Sequence, residues 1–176
     1  MTALQSLLAD PDTAGVWNLV PGRSSVRFKN KTLWGLVAVN GEFPDVSGDG
    51  QITAKGAVFG RLDVRAASLR TGIGKRDEHL RSPDFFDVEK HPDISVVVTD
   101  VTATGERSAD LRAELTVRGT TRPLPLSATV EPLGDGTVRI SAQTTVDRTA
   151  FGVSGNMVGM MPATTTLIAD LVFAKA

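Results

Sequence analysis

The chain has 176 residues, enough for one domain with a sizeable core. Its 41% hydrophobic and 22% charged content is that of a globular protein rather than a disordered one, and a net charge of −1 lacks the basic excess of a nucleic-acid binder. With no cysteine, disulfides, thiolate nucleophiles and Cys-ligated metal centres are excluded.

The opening ten residues, Met1 to Asp10, have neither the basic region nor the apolar length of a signal peptide, and no run reaches the roughly 18 apolar residues of a membrane span. The expectation is a cytoplasmic protein with no integral membrane segment. Leu4, Leu7 and Leu8 stand at helical spacing before Asp10-Pro11, so residues 1–15 read as a short helix or a mobile tail. Residues 16–176 show no composition shift and no internal repeat, and read as one domain.

From Val16 onward the dominant period is two. Val58, Gly60, Leu62, Val64 and Ala66 share one face against Phe59, Arg61, Asp63 and Arg65. The same alternation runs through Leu111 to Arg118, Leu124 to Glu131 and Val138 to Asp147. It marks strands with one buried and one wet face. Ile94 to Val98 and Leu167 to Phe173 are apolar on both faces and call for an outer cover: a helix, a loop or a partner chain. Turns are expected at Pro21-Gly22, Lys55-Gly56, Gly105-Glu106 and Gly134-Asp135-Gly136. Gly41, Gly48 and Gly50 suggest that Leu36 to Ile52 is one long strand bent by bulges.

Residues 68–92 break the alternation. They are charged and irregular, and read as a short helical excursion in which Ser82 caps a turn with Pro83 at its first position. Eight or nine strands with few crossover helices give an all-β, mainly antiparallel sheet. Closing it into a barrel removes the exposed edges, and about eight strands leave an interior that side chains fill or that holds one small ligand.

Several motifs resemble those of the YceI-like family. The strongest is Arg76-Asp77-Glu78-His79-Leu80-Arg81-Ser82-Pro83-Asp84-Phe85-Phe86-Asp87 followed by His91-Pro92. Trp17, Ser24 to Phe28, Val39 to Phe43, Leu115 to Pro123 and Asp147 to Val153 match in the family's order, over roughly Val16 to Ala174. The resemblance implies an extended eight-stranded antiparallel lipocalin-like barrel enclosing an apolar channel. It also implies non-enzymatic binding, for sequestration or transport, of an isoprenoid lipid. The partner is then an apolar polyisoprenoid or quinone-like lipid, with no other cofactor. Val20, Arg23 and Thr32 stand where the family often has an acidic residue and two histidines, so head-group preference is expected to differ.

The nominated lumen wall comprises Val26, Phe28, Leu62, Val96, Leu115 and Phe151. Phe85 and Phe86 are adjacent and cannot point the same way, so one is assigned to a staple and the other to the ligand wall. Met157 and Met160 lie in a Gly- and Met-rich segment that reads either as an adaptable gate or as a loop tucked into the core. Arg23, Arg122 and Arg148 are candidates to hold a head-group anion, since a guanidinium grips phosphate or carboxylate through two parallel bonds. Arg118 is better read as a partner of surface carboxylates. Asp77, His79 and Leu80 form a structural motif; an acid–base pair of Asp77 and His79 is the weaker reading, because it lacks a third group and a cleft. His91, before Pro92, reads as a turn residue. A ligand-free barrel that forms a homodimer through its two-sided strands is the competing function class.

Overall fold

The alternating runs fold as strands, and every pairing in the sheet is antiparallel. The computed structural model describes residues 1–32, 37–155 and 163–176. In chain order they form α1 (Ala3–Ala9), β1 (Gly15–Leu19), β2 (Ser25–Thr32), β3 (Val37–Glu42), β4 (Val46–Ile52), β5 (Val58–Arg65) and α2 (Gly74–Arg81). There follow β6 (Asp93–Ala103), β7 (Ser108–Val117), β8 (Thr120–Pro123), β9 (Leu126–Pro132), β10 (Val138–Asp147) and β11 (Thr164–Lys175). Among the described residues, β1-β4-β5-β6-β7-β9-β10-β11 make a ring of eight, and pairing of β1 with β11 closes it. Closure satisfies the edge N–H and C=O groups that an open sheet would expose. No described helix is long and apolar enough to cross a membrane.

The segments β2, β3 and β8 extend the barrel beyond the ring. β1 and β2 follow one another along the same edge of β11, with Leu19 opposite Phe173 and Ser25 opposite Asp170. A 3-10 turn at Pro21–Arg23 takes up the slack between them. There the Val20 N–H donates to the Val172 carbonyl (2.8 Å), and the Val172 N–H donates to the Ser24 hydroxyl (3.0 Å). Val172 is fully buried as a result. Part of the outer apolar face of β11 is thus covered by the chain itself, the loop among the three covers the sequence allowed.

The expected single bent strand over Leu36 to Ile52 is instead two strands, β3 and β4, separated by Phe43–Asp45. The break comes from packing. Phe43 turns inward to meet Phe28, with ring centroids 5.3 Å apart, while the Phe28 ring lies across Gly41. A Cβ at Gly41 would stand 2.1 Å from a Phe28 ring carbon, so only glycine admits that approach.

Residues 66–92 leave β5 and return to β6 at one end of the barrel. Leu69, Leu80 and Phe85 drop into the core there, and Leu69 is 0% exposed. Polar side chains hold the excursion's backbone. The Thr71 N–H and hydroxyl donate to the Asp77 carboxylate (2.9 and 2.5 Å), and Arg81 donates to the carbonyls of Ala67 and Leu69 (3.0 and 2.6 Å). Ser82 ends α2 and starts the next turn: its N–H donates to the His79 carbonyl, and its own carbonyl accepts from the N–H groups of Phe85 and Asp87. At the opposite end lie the turns at 53–57, 104–107 and 133–137, with α1 held against the first two. α1 opens with a capping box between Thr2 and Gln5.

Candidate ligand-binding site

The inward sets of the ring strands do not meet at the barrel axis. They leave a cavity of about 240 Å³ walled by every strand of the ring, with Trp17, Leu62, Val96, Leu126, Ile140 and Leu171 among the contributors. Its side-chain wall is almost wholly apolar, because the inward half of each alternating strand is apolar. Gly60, Ala128, Ala142 and Ala169 lie on that wall, and their small size leaves the room that larger residues would fill. An apolar cavity of this kind has too few polar partners to hold ordered water and accepts apolar guests. The arrangement supplies a dry, non-directional surface, suited to burying hydrocarbon.

The nominated lumen residues divide into two groups. Val26, Leu62 and Val96 line the cavity. Phe28, the next inward residue of β2 after Val26, does not; with Leu115, Phe85 and Phe151 it belongs to the packed core between the lumen and the excursion. Phe86 is half-buried and meets Phe43 edge-on at 5.8 Å, whereas Phe85 is 1% exposed and meets the His79 ring edge-on at 5.1 Å. The two adjacent rings do point apart, yet both serve the core. Met157 and Met160 lie outside the described residues.

The candidate anion ligands are not gathered at one place. Arg23 is exposed near the turn that joins β9 and β10, where it pairs with Asp135 at 2.9 Å. The Asp135 carboxyl is held down to about 2, first by the Thr137 hydroxyl, then by the Thr137 N–H, with Arg23 a smaller contributor. Arg122 stands exposed on β8, at the other end, and forms no ion pair among the described residues. Arg148 is buried and donates to the carbonyls of Val153 and Gly155 (2.7 and 2.8 Å), with its guanidinium 6.0 Å from the Phe85 ring centre. Burial pulls its pKa below the usual arginine value.

Among the described residues, Arg118 pairs with no surface carboxylate. It occupies the left-handed region (φ 52°) in the tight turn between β7 and β8, and donates to the Pro83 and Phe85 carbonyls (2.5 and 2.8 Å). It thereby ties the excursion to the barrel. The neighbouring Gly119 leaves space for the His91 ring, so His91 is a packing residue at this turn. Asp77 and His79 have different partners: Asp77 accepts from Thr71, while His79 Nε2 faces the Asp84 carboxylate at 3.3 Å. Two features of the interior were not foreseen. Leu4, Leu7 and Leu8 line the cavity, and Asn30 is 5% exposed with no hydrogen-bond partner for its Nδ2 among the described residues. The leucine spacing was visible in the sequence, but not where its helix docks.

The sequence model of the YceI-like domain matches residues 17–173, which spans the ring from β1 to β11. The chain belongs to the YceI-like family. A UPF0312 protein of Pseudomonas syringae pathovar tomato is 33% identical over 155 residues, covering 84% of this chain and 78% of that protein. A UPF0312 protein of Pseudomonas putida is 37% identical over 99 residues, 53% of this chain; the chain spans only about half (52%) of that relative's length. Among solved structures, the YceI-like barrel is similar to BcnA of Burkholderia cenocepacia, with a TM-score of 0.79, 19% identity, and coverage of 88% of this chain and 98% of that one. It is also similar to a polyisoprenoid binding domain from Saccharophagus degradans implicated in plant cell wall breakdown, with a TM-score of 0.76, 18% identity, and coverage of 91% and 98%. At these identities the structural likeness speaks for the fold.

Proposed function

We propose that this YceI-like chain binds an isoprenoid-like lipid in its barrel lumen and sequesters or carries it without chemical change. The observation that supports this reading is the unfilled, apolar cavity inside the closed ring. Each buried methylene contributes about 0.8 kcal/mol, so one isoprene unit contributes roughly 3–4 kcal/mol before ordering costs. A few units reach micromolar affinity after several kcal/mol of losses. The similarity to a polyisoprenoid binding domain supports the same ligand class. Binding without turnover accords with Asp77 and His79, which are engaged separately within the excursion. Of the candidate arginines Arg23, Arg122 and Arg148, Arg122 is both exposed and without an ion pair among the described residues, which supports it as the contact for a charged head group.

Native mass spectrometry of freshly purified protein, followed by organic extraction, tests the reading. The expected result is a discrete added mass that extracts as an isoprenoid. A clean ligand-free mass that persists after incubation with polyprenyl lipids and quinones would overturn it.

A further inference from the structure

Helix α1 lies outside the segment that matches the YceI-like domain, yet it forms part of the lumen wall. Leu4 is buried, Leu7 and Leu8 are half-buried, and all three line the cavity. The helix is seated across one end of the barrel. The Leu4 N–H donates to the Glu106 carbonyl (3.0 Å) and the Ala3 N–H to the Glu106 carboxylate (2.8 Å). The Leu8 carbonyl lies so close to Gly56 that a Cβ there would stand 3.0 Å from it. The return to β1 is tied by the Thr13 hydroxyl donating to the Leu7 carbonyl and by Trp17 Nε1–H donating to the Thr13 carbonyl.

A helix of 7 residues does not hold its shape in water. Its order comes from the capping box and from this seat, whereas each ring strand is held by ladders on both sides. α1 is therefore the part of the lumen wall that opens at least cost. Its three leucines present branched alkyl groups at the end of the lumen, the chemistry of a prenyl tail. The cavity beneath them, about 240 Å³, lies below the roughly 300–1,000 Å³ of pockets for drug-sized ligands. A long prenyl chain and a seated α1 compete for the same space.

Resting on the lipid-binding reading above, we infer that α1 is a displaceable stopper that selects ligands by tail length. Short isoprenoids bind beneath it; long ones bind only when it leaves, and its leucines are the residues they replace.

The native chain has no cysteine, so Ala3→Cys combined with Glu106→Cys gives one reversible cross-link between α1 and the turn that follows β6. Farnesol and solanesol are titrated against the oxidised and reduced forms. Oxidation is expected to weaken solanesol binding by at least about tenfold, a loss of about 1.4 kcal/mol in binding free energy, to leave farnesol binding unchanged, and to be reversed by reductant. Hydrogen exchange on the unaltered chain gives a second readout that needs no variant: solanesol should speed exchange at residues 3–9 and farnesol should not. Farnesol binding together with equal solanesol binding in both forms, or with α1 amides still protected under solanesol, overturns the stopper alone. Failure of both lipids to bind any form overturns the lipid-binding reading and the stopper with it.

Discussion

Leu62→Trp places an indole in the lumen. Leu62 projects from the middle of β5 into the cavity, opposite Gly48 on β4 and Val96 on β6. With only about 240 Å³ open, a larger ring there displaces ligand rather than relaxing into spare room. Excluding one isoprene unit forfeits roughly 3–4 kcal/mol of burial. At about 1.4 kcal/mol per decade, Kd for farnesol should rise by roughly two to three orders of magnitude. The fold should survive, because overpacking costs about 1–3 kcal/mol in a filled core and this site starts unfilled. The assay is a binding titration alongside a thermal melt, with Val97→Trp as control; Val97 lies opposite Arg61 on the outward face of β6. A folded Leu62→Trp protein with unchanged farnesol Kd would refute the placement of ligand in this cavity.

Arg118→Ala should destabilise the fold by about 2–3 kcal/mol in urea unfolding, since it removes two charge-assisted bonds to the excursion, one of them partly buried. Arg118→Gly should recover about 1 kcal/mol of that loss by relieving the left-handed backbone; a glycine variant more stable than the wild type by that full amount would show that the two bonds contribute nothing. Asn30→Val should raise stability by about 1 kcal/mol, because it removes a buried amide nitrogen that has no partner among the described residues; a loss on thermal unfolding would show that the amide is satisfied. The Asp135 carboxyl sits at about 2 in the folded chain, below its ordinary value of 3.8, so its contribution to stability is fully present above about pH 4 and is lost as pH falls towards 2. Asp135→Asn should flatten the acid limb of the stability curve in that window, and an unchanged limb would discount the Thr137 and Arg23 contacts.

Strand identity was legible because side-chain alternation is a local property. The inward sets of β5, β7, β9 and β10 can be read from the period alone, and antiparallel closure follows from the shortage of crossover helices. The excursion was legible as an interruption, and the YceI-like motifs supplied the eight-stranded ring. The division of Leu36 to Ile52 into β3 and β4 was not legible, because it depends on the Phe28 ring meeting Gly41 from another strand. Leu62 and Phe28 look alike in sequence as inward apolar residues. Only their depth along the barrel makes one a cavity wall and the other core.

Charge showed the same limit. The sequence presents Arg23, Arg118, Arg122 and Arg148 as equivalent cations. Folding gives Arg23 to Asp135, Arg118 to the carbonyls of the excursion, and Arg148 to the carbonyls of Val153 and Gly155, while Arg122 remains exposed. Local periodicity determined which residues face inward. Long-range contacts decided how far the barrel fills, which arginine reaches which oxygen, and where the leucines of α1 come to rest, because each depends on residues brought together by ring closure.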